Sequence, residues 1–203
     1  MDKCVSACKS NDYYTLTTCI NDVENIDMIC DGGYTLLHLC CLSGFEEGVH
    51  HLIHCGASLH TKTSYRDTAL HLACMYQKGK IIDFLLDNGA DADVHNGCDE
   101  IPLHIMAKTQ LYDHFKNVCD ATTNINSKNS SNQTPLHVVC QVNTHNCSTY
   151  FADILLSNGA KIDVKDCNMN TPLHLACKHN CGDVELLDVL LSNDASANFC
   201  NVR

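Results

Sequence analysis

The feature that most restricts this chain is an internal period. The tetrapeptides Thr35-Leu36-Leu37-His38, Thr68-Ala69-Leu70-His71, Ile101-Pro102-Leu103-His104, Thr134-Pro135-Leu136-His137 and Thr171-Pro172-Leu173-His174 begin 33, 33, 33 and 37 residues apart. Each is followed by an apolar pair ahead of a turn: Leu52-Ile53, Leu85-Leu86, Val118-Cys119, Leu155-Leu156 and Leu190-Leu191. The two landmarks stand 17 residues apart in the first three units, 21 in the fourth and 19 in the fifth. The extra residues fall in polar stretches around Asn143 to Tyr150 and Asn180 to Val184, so they lengthen a loop between two helices. A period of this size builds a row of small units, each of which buries its apolar face only against its neighbours.

The unit from Tyr65 to Gly97 shows the local physics. Thr68 is suited to cap a helix, and Ala69 to Met75 form a short apolar-faced segment after it. Ile81, Ile82, Leu85 and Leu86 repeat at one-and-four spacing and predict a second amphipathic helix. Asn88-Gly89 stops that helix, with glycine supplying the left-handed residue, and the polar run from Asp91 to Gly97 forms the turn into the next unit.

At these residues the chain resembles the ankyrin repeat, whose signature is this period with a T-P-L-H-x-A pattern. A single T-x-L-H is weak, but five in phase are specific. The resemblance implies an all-α ankyrin-repeat solenoid of helix-turn-helix units with projecting β-turn fingers. The units are read as 32–64, 65–97, a divergent 98–130, 131–167 and 168–203, the last two with loop insertions. Residues 1–31 read as a degenerate N-terminal repeat, because Ala7 lies 12 residues before Cys19-Ile20 just as Ala73 lies 12 before Leu85-Leu86.

Departures from the pattern are informative. The 98–130 unit has Ile101 where others have threonine, and Thr122 where glycine would stop the helix, so it is expected to be the weakest joint. Gly48 and His51 are expected to weaken the second helix of the first full unit. The last unit carries no polar capping helix, which predicts a continuation of the array, or a partner or second copy against Leu175 and Leu187.

Composition excludes several functions. Of 203 residues, 24 are acidic and 13 basic, a net charge of -11 that opposes binding to a phosphate backbone. No run of 18 apolar residues occurs and the opening has no signal-like segment, so neither membrane insertion nor secretion is expected, and the chain is read as cytoplasmic, the nucleus being the other possible compartment. Phosphate-loop, nucleophile-elbow and metalloprotease motifs are missing, and a linear repeat offers no enclosed pocket, so no enzyme and no cofactor are expected.

The 13 histidines and 16 cysteines mostly follow the repeat. The resemblance makes His38, His71, His104, His137 and His174 structural hydrogen-bonding groups that join neighbouring units. Cys8, Cys41, Cys74, Cys140 and Cys177 share one position and are expected to be small buried hydrophobes. The alternative chemistry is a metal- or redox-sensing domain built on the lengthened loops, where His145, Cys147, His179 and Cys181 could supply two nitrogens and two sulfurs to zinc. The one-residue spacing within each pair departs from the common zinc-finger pattern. The resemblance also implies asparagine hydroxylation at the turn after the second helix, where Asn126 and Asn198 stand.

The resemblance implies, above all, binding of another protein, as scaffold, adaptor or inhibitor, through fingertips and the exposed ends of the first helices. The candidates are Tyr34, Leu42, Tyr65, Arg66, Met75, Tyr76, Glu100 and Lys108. Aromatic, methionine and arginine side chains, which dominate interface energetics, concentrate in the units starting at residues 32 and 65.

Overall fold

Threonine at the head of four of the five motifs opens a helix, and the histidine three residues on closes the cap. In the computed structural model, which describes residues 2–109, 111–142, 147–179 and 184–198, with backbone alone for Asp31 and Cys147, the backbone N–H of Thr68 donates to Nδ1 of His71 at 3.2 Å. The Thr68 hydroxyl meets the same nitrogen at 2.8 Å. Thr35 with His38, Thr134 with His137 and Thr171 with His174 repeat the arrangement. Each box satisfies donors that the first helical turn leaves without partners.

Twelve α-helices occur among the described residues, and no strand does. Two compact units divide them, residues 1–97 and 98–203. In the first unit α1 (Asp2–Ser10), α3 (Leu36–Ser43) and α5 (Ala69–Met75) pack side by side as one layer, and α2 (Tyr13–Cys19), α4 (Glu46–His54) and α6 (Gly79–Asp87) as a second. In the second unit the corresponding rows are α7 (Pro102–Thr109), α9 (Pro135–Gln141) and α11 (Pro172–His179), then α8 (Tyr112–Ala121), α10 (Cys147–Ser157) and α12 (Val184–Ser192). The core of each lies between its two rows, with Leu37, Leu52, Leu70 and Leu85 buried in one and Leu103, Phe115, Leu136 and Leu155 in the other.

Gly56, Gly89 and Gly159 end α4, α6 and α10 with φ of +90°, +86° and +85°. Asp194 takes the same place after α12 at φ +66°. Thr122 solves the problem differently: its backbone stays extended, and its hydroxyl donates to the Val118 carbonyl at 2.7 Å, capping α8 without a left-handed residue. Phe115 stacks on Phe151 at 4.0 Å and Tyr112 on Tyr150 at 4.1 Å, so aromatic packing reinforces this helix where its cap is unusual. Ile101 does forfeit the hydroxyl half of the box, keeping only its N–H to Nδ1 of His104 at 3.3 Å.

Three expectations are corrected. Gly48 is no weakness in α4: a Cβ there would meet the Phe45 ring at 2.4 Å, so glycine lets that phenyl pack under the helix. Cys177 is exposed, unlike Cys8, Cys41, Cys74 and Cys140. Leu175 is buried, and Leu187 half-buried; the open apolar side chains of α12 are Val184 and Leu191. A disulfide between Cys4 and Cys19 ties α1 to the end of α2 with a Cα separation of 5.9 Å, a link the repeat pattern does not foretell.

Candidate partner-binding surface

The β-turn fingers at Thr63, Asn129 and Asp166 are each closed from below by a short polar side chain. The Thr63 carbonyl accepts from the Arg66 N–H at 2.8 Å, and the Thr63 N–H donates to the Asp67 carbonyl at 2.9 Å. The Thr63 hydroxyl accepts from the N–H groups of Tyr65 and Asp67. Asn129 and Asp166 do the same work with a carboxamide and a carboxylate. The turn demands a left-handed residue, and Gly33, Arg66, Asp99, Asn132 and Met169 fill that one position with φ between +56° and +81°. Successive fingers are joined by backbone bonds, Gly97 N–H to the Tyr65 carbonyl at 2.8 Å, Ser130 to Cys98 at 3.0 Å and Cys167 to Ser131 at 3.0 Å.

His104 and His137 carry these fingers. With Nδ1 accepting from a backbone N–H, the ring is the neutral tautomer protonated on Nε2. Nε2 then donates to the carbonyl of the next finger, His104 to Gln133 at 2.9 Å and His137 to Asn170 at 3.2 Å. Burial holds His137 below the ordinary histidine range and takes His38 from 6.5 down to about 4, against the opposing pull of the Thr61 backbone and the Asp67 and Asp27 carboxylates. Burial also raises the thiols of Cys41 and Cys74, and lifts Cys119 to about 12, so they pack as neutral hydrophobes.

A second set of ties sits beyond the second helices. Asp27 accepts from the Ser58 N–H at 2.9 Å and Asp163 from the Ser196 N–H at 3.1 Å. Asn126 accepts from the Lys161 N–H at 2.7 Å and donates to the Gly159 carbonyl at 3.1 Å. Asn126, one of the two asparagines singled out for hydroxylation, is thus a strut between loops, a role its position in the period signals only once neighbouring units are laid side by side.

The fingers fold back over the ends of the first helices. The Gln133 amide donates to the Gln141 side chain at 2.8 Å, and at the equivalent positions Lys108 pairs with Glu100. That contact changes the standing of two candidates: Glu100 is 8% exposed and its carboxylate is occupied by Lys108, so the two form an internal brace. Tyr34 is half-buried and edge-on to His38 at 6.4 Å, and Leu42 is half-buried on α3. Tyr65, Met75 and Tyr76 are open to solvent at 69%, 42% and 48%, with Arg66 exposed at the fingertip beside them in sequence. Of the loop candidates, His145 and Cys181 and the side chain of Cys147 lie outside the described residues, and His179 ends α11.

Paired helices in two rows within each unit, with histidine-stapled turns leading from one pair to the next, define an all-α repeat solenoid. The chain belongs to the ankyrin-repeat family: the family pattern described as ankyrin repeats (3 copies) matches residues 5–96 and 103–201. Ankyrin repeats are general protein–protein interaction modules, and the fold is typically non-enzymatic. Among solved structures, the human ASB11 ankyrin repeat domain is 24% identical with a TM-score of 0.82, covering 98% of this chain and 86% of its own. An ankyrin repeat domain from Acinetobacter baumannii is 23% identical with a TM-score of 0.87, covering 95% and 98%. A chain in the structure of the predatory endopeptidase Bd0816 from Bdellovibrio bacteriovorus in complex with immunity protein Bd3460 is 18% identical with a TM-score of 0.81, covering 95% and 98%. No curated protein sequence gives a significant match. No helix among the described residues is long and apolar enough to cross a membrane.

Proposed function

We propose that this chain is a scaffold, adaptor or inhibitor that holds one partner protein across its fingertips and the ends of its first helices, centred on the unit from Tyr65 to Gly97. The observation that carries this reading is Arg66 at φ +63° on the fingertip, next to exposed Tyr65 and in the same unit as exposed Met75 and Tyr76. A left-handed arginine costs about 1–2 kcal/mol that glycine would not. Strain of this kind is retained where a side chain is needed. Tyrosine, methionine and arginine are also the residues enriched in interface cores.

The net charge of -11 favours a partner with a basic surface, by steering its approach and rejecting acidic competitors. An occluding role is supported by analogy with the Bdellovibrio complex, in which a similar fold occurs in a pairing of enzyme and immunity protein. The unit boundaries 1–31, 32–64, 65–97, 98–130, 131–167 and 168–203 belong to the same proposal.

The test is quantitative binding to the partner recovered from the native cell. Tyr76→Ala and Arg66→Ala each weaken binding by about 1–3 kcal/mol while the circular dichroism spectrum stays that of the parent. Unchanged affinity in both variants would overturn the assignment of this unit.

A further inference from the structure

The row of second helices in the first unit carries a groove of about 740 Å³ whose lining includes Tyr13, Glu47, His50, His51, His54 and Phe84, and no lysine or arginine. His50 stacks on Phe84 at 3.8 Å and His51 meets the edge of Tyr13 at 5.8 Å, so two of the imidazoles are held by aromatic neighbours. One turn beyond His51, Cys55 is exposed, and its Sγ stands 3.7 Å from Nε2 of His51. The backbone fixes this pair: the Cys55 N–H donates to the His51 carbonyl at 2.9 Å, and Gly56 at φ +90° stops the helix immediately after. Residues four apart on a helix share a face.

Two ligands of one tetrahedral zinc, at ~2.3 Å for sulfur and ~2.0–2.1 Å for nitrogen, stand about 3.6 Å apart. The His51–Cys55 separation of 3.7 Å, a hydrogen bond between thiol and ring in the metal-free chain, is close to that value. Among the described residues no three histidine, cysteine or acidic side chains converge on one point as they stand. His54 is exposed, lines the same groove and stands three residues after His51 and one before Cys55.

We propose that His51 and Cys55 form a chelating pair for a zinc-class divalent cation at the end of α4, with His54 recruited as third ligand and water in the fourth position. On binding, the Cys55 thiol gives its proton to solvent and its sulfur ligates as thiolate. The site lies on the row of helices away from the fingertips, so it is independent of the partner-binding reading.

The experiment is cobalt(II) titration of the full chain with Cys4 and Cys19 in their native state, read by thiolate-to-cobalt absorption and by equilibrium dialysis. One equivalent per chain is expected, with the thiolate band lost in Cys55→Ser, affinity at least tenfold weaker in His51→Gln and in His54→Gln, and the band unchanged in Cys98→Ser. Absence of stoichiometric cobalt, a full-strength band in Cys55→Ser, or a band lost only in Cys147→Ser would each overturn the proposal, the last by placing the metal in the lengthened loop. His54→Gln with parental affinity would overturn the third ligand.

Discussion

Arg66 and Gly33 occupy the same fingertip position at φ +63° and +81°, and the contrast separates what the fold needs from what this chain adds. At Gly33 a Cβ would meet Ser64 Oγ at 2.2 Å, so the turn there tolerates only glycine. At Arg66 the backbone accepts a side chain, at a cost in strain. Arg66→Gly is therefore expected to raise stability by on the order of 1 kcal/mol while weakening partner binding; a lower urea midpoint would contradict the strain argument. The motif pattern made the threonine–histidine caps legible, because both partners lie within four residues. It could not show the left-handed fingertip, since Arg66, Asp99, Asn132 and Met169 share no chemistry, only a place in the turn. Nor could it show that Glu100 and Lys108 spend their charges on each other, because that depends on a finger folding back over its own helix. His38 gives a pH test at this scale. Its folded value of about 4 lies below its ordinary 6.5, so the unfolded chain binds the extra proton and stability falls as pH drops from 6.5 toward 4. The loss from this ring is on the order of 3 kcal/mol. Nuclear magnetic resonance titration of the His38 ring should show a midpoint near 4; a midpoint at 6 or above would contradict a neutral buried imidazole.

Among the elements, α7 and α8 form the informative pair. Ile101 lacks the threonine hydroxyl and keeps its N–H to Nδ1 of His104, and the Thr122 hydroxyl on Val118 and the Phe115–Phe151 stack supply anchors that the period does not reveal. Ile101 is itself fully buried, so the position trades a polar cap for apolar contact. Ile101→Thr restores the box but removes buried surface, and the two effects, each about 1 kcal/mol, are expected to leave stability within 1 kcal/mol of the parent. A gain of 2 kcal/mol or more in denaturant unfolding would show that the missing cap dominates, and hydrogen exchange would then place the first opening in residues 98–130. α4 shows the complementary lesson. Gly48 reads from propensity as a helix weakener, whereas the Phe45 ring beneath it makes the small residue a packing requirement. Helix existence and order were legible from the 33-residue period; helix ends without glycine, and glycine within a helix, were settled by contacts across the structure.

For the molecule as a whole, the period determined the class of fold and the family, and in each unit the two rows of helices bury their apolar faces against each other. It left the partner open, because ankyrin surfaces carry specificity on the side chains that do not repeat. Tyr65, Met75 and Tyr76 gather three exposed large side chains in one finger-and-first-helix unit, whereas the exposed Tyr112 belongs to a second helix and is stacked on Tyr150. The most direct measurement is site-specific photocrosslinking in the native cell, with the reactive amino acid placed at residue 76 or at residue 112. A protein adduct from position 76 and none from position 112 is the predicted result. Adducts from position 112 alone would contradict the claim that this chain binds its partner through its fingers and first helices.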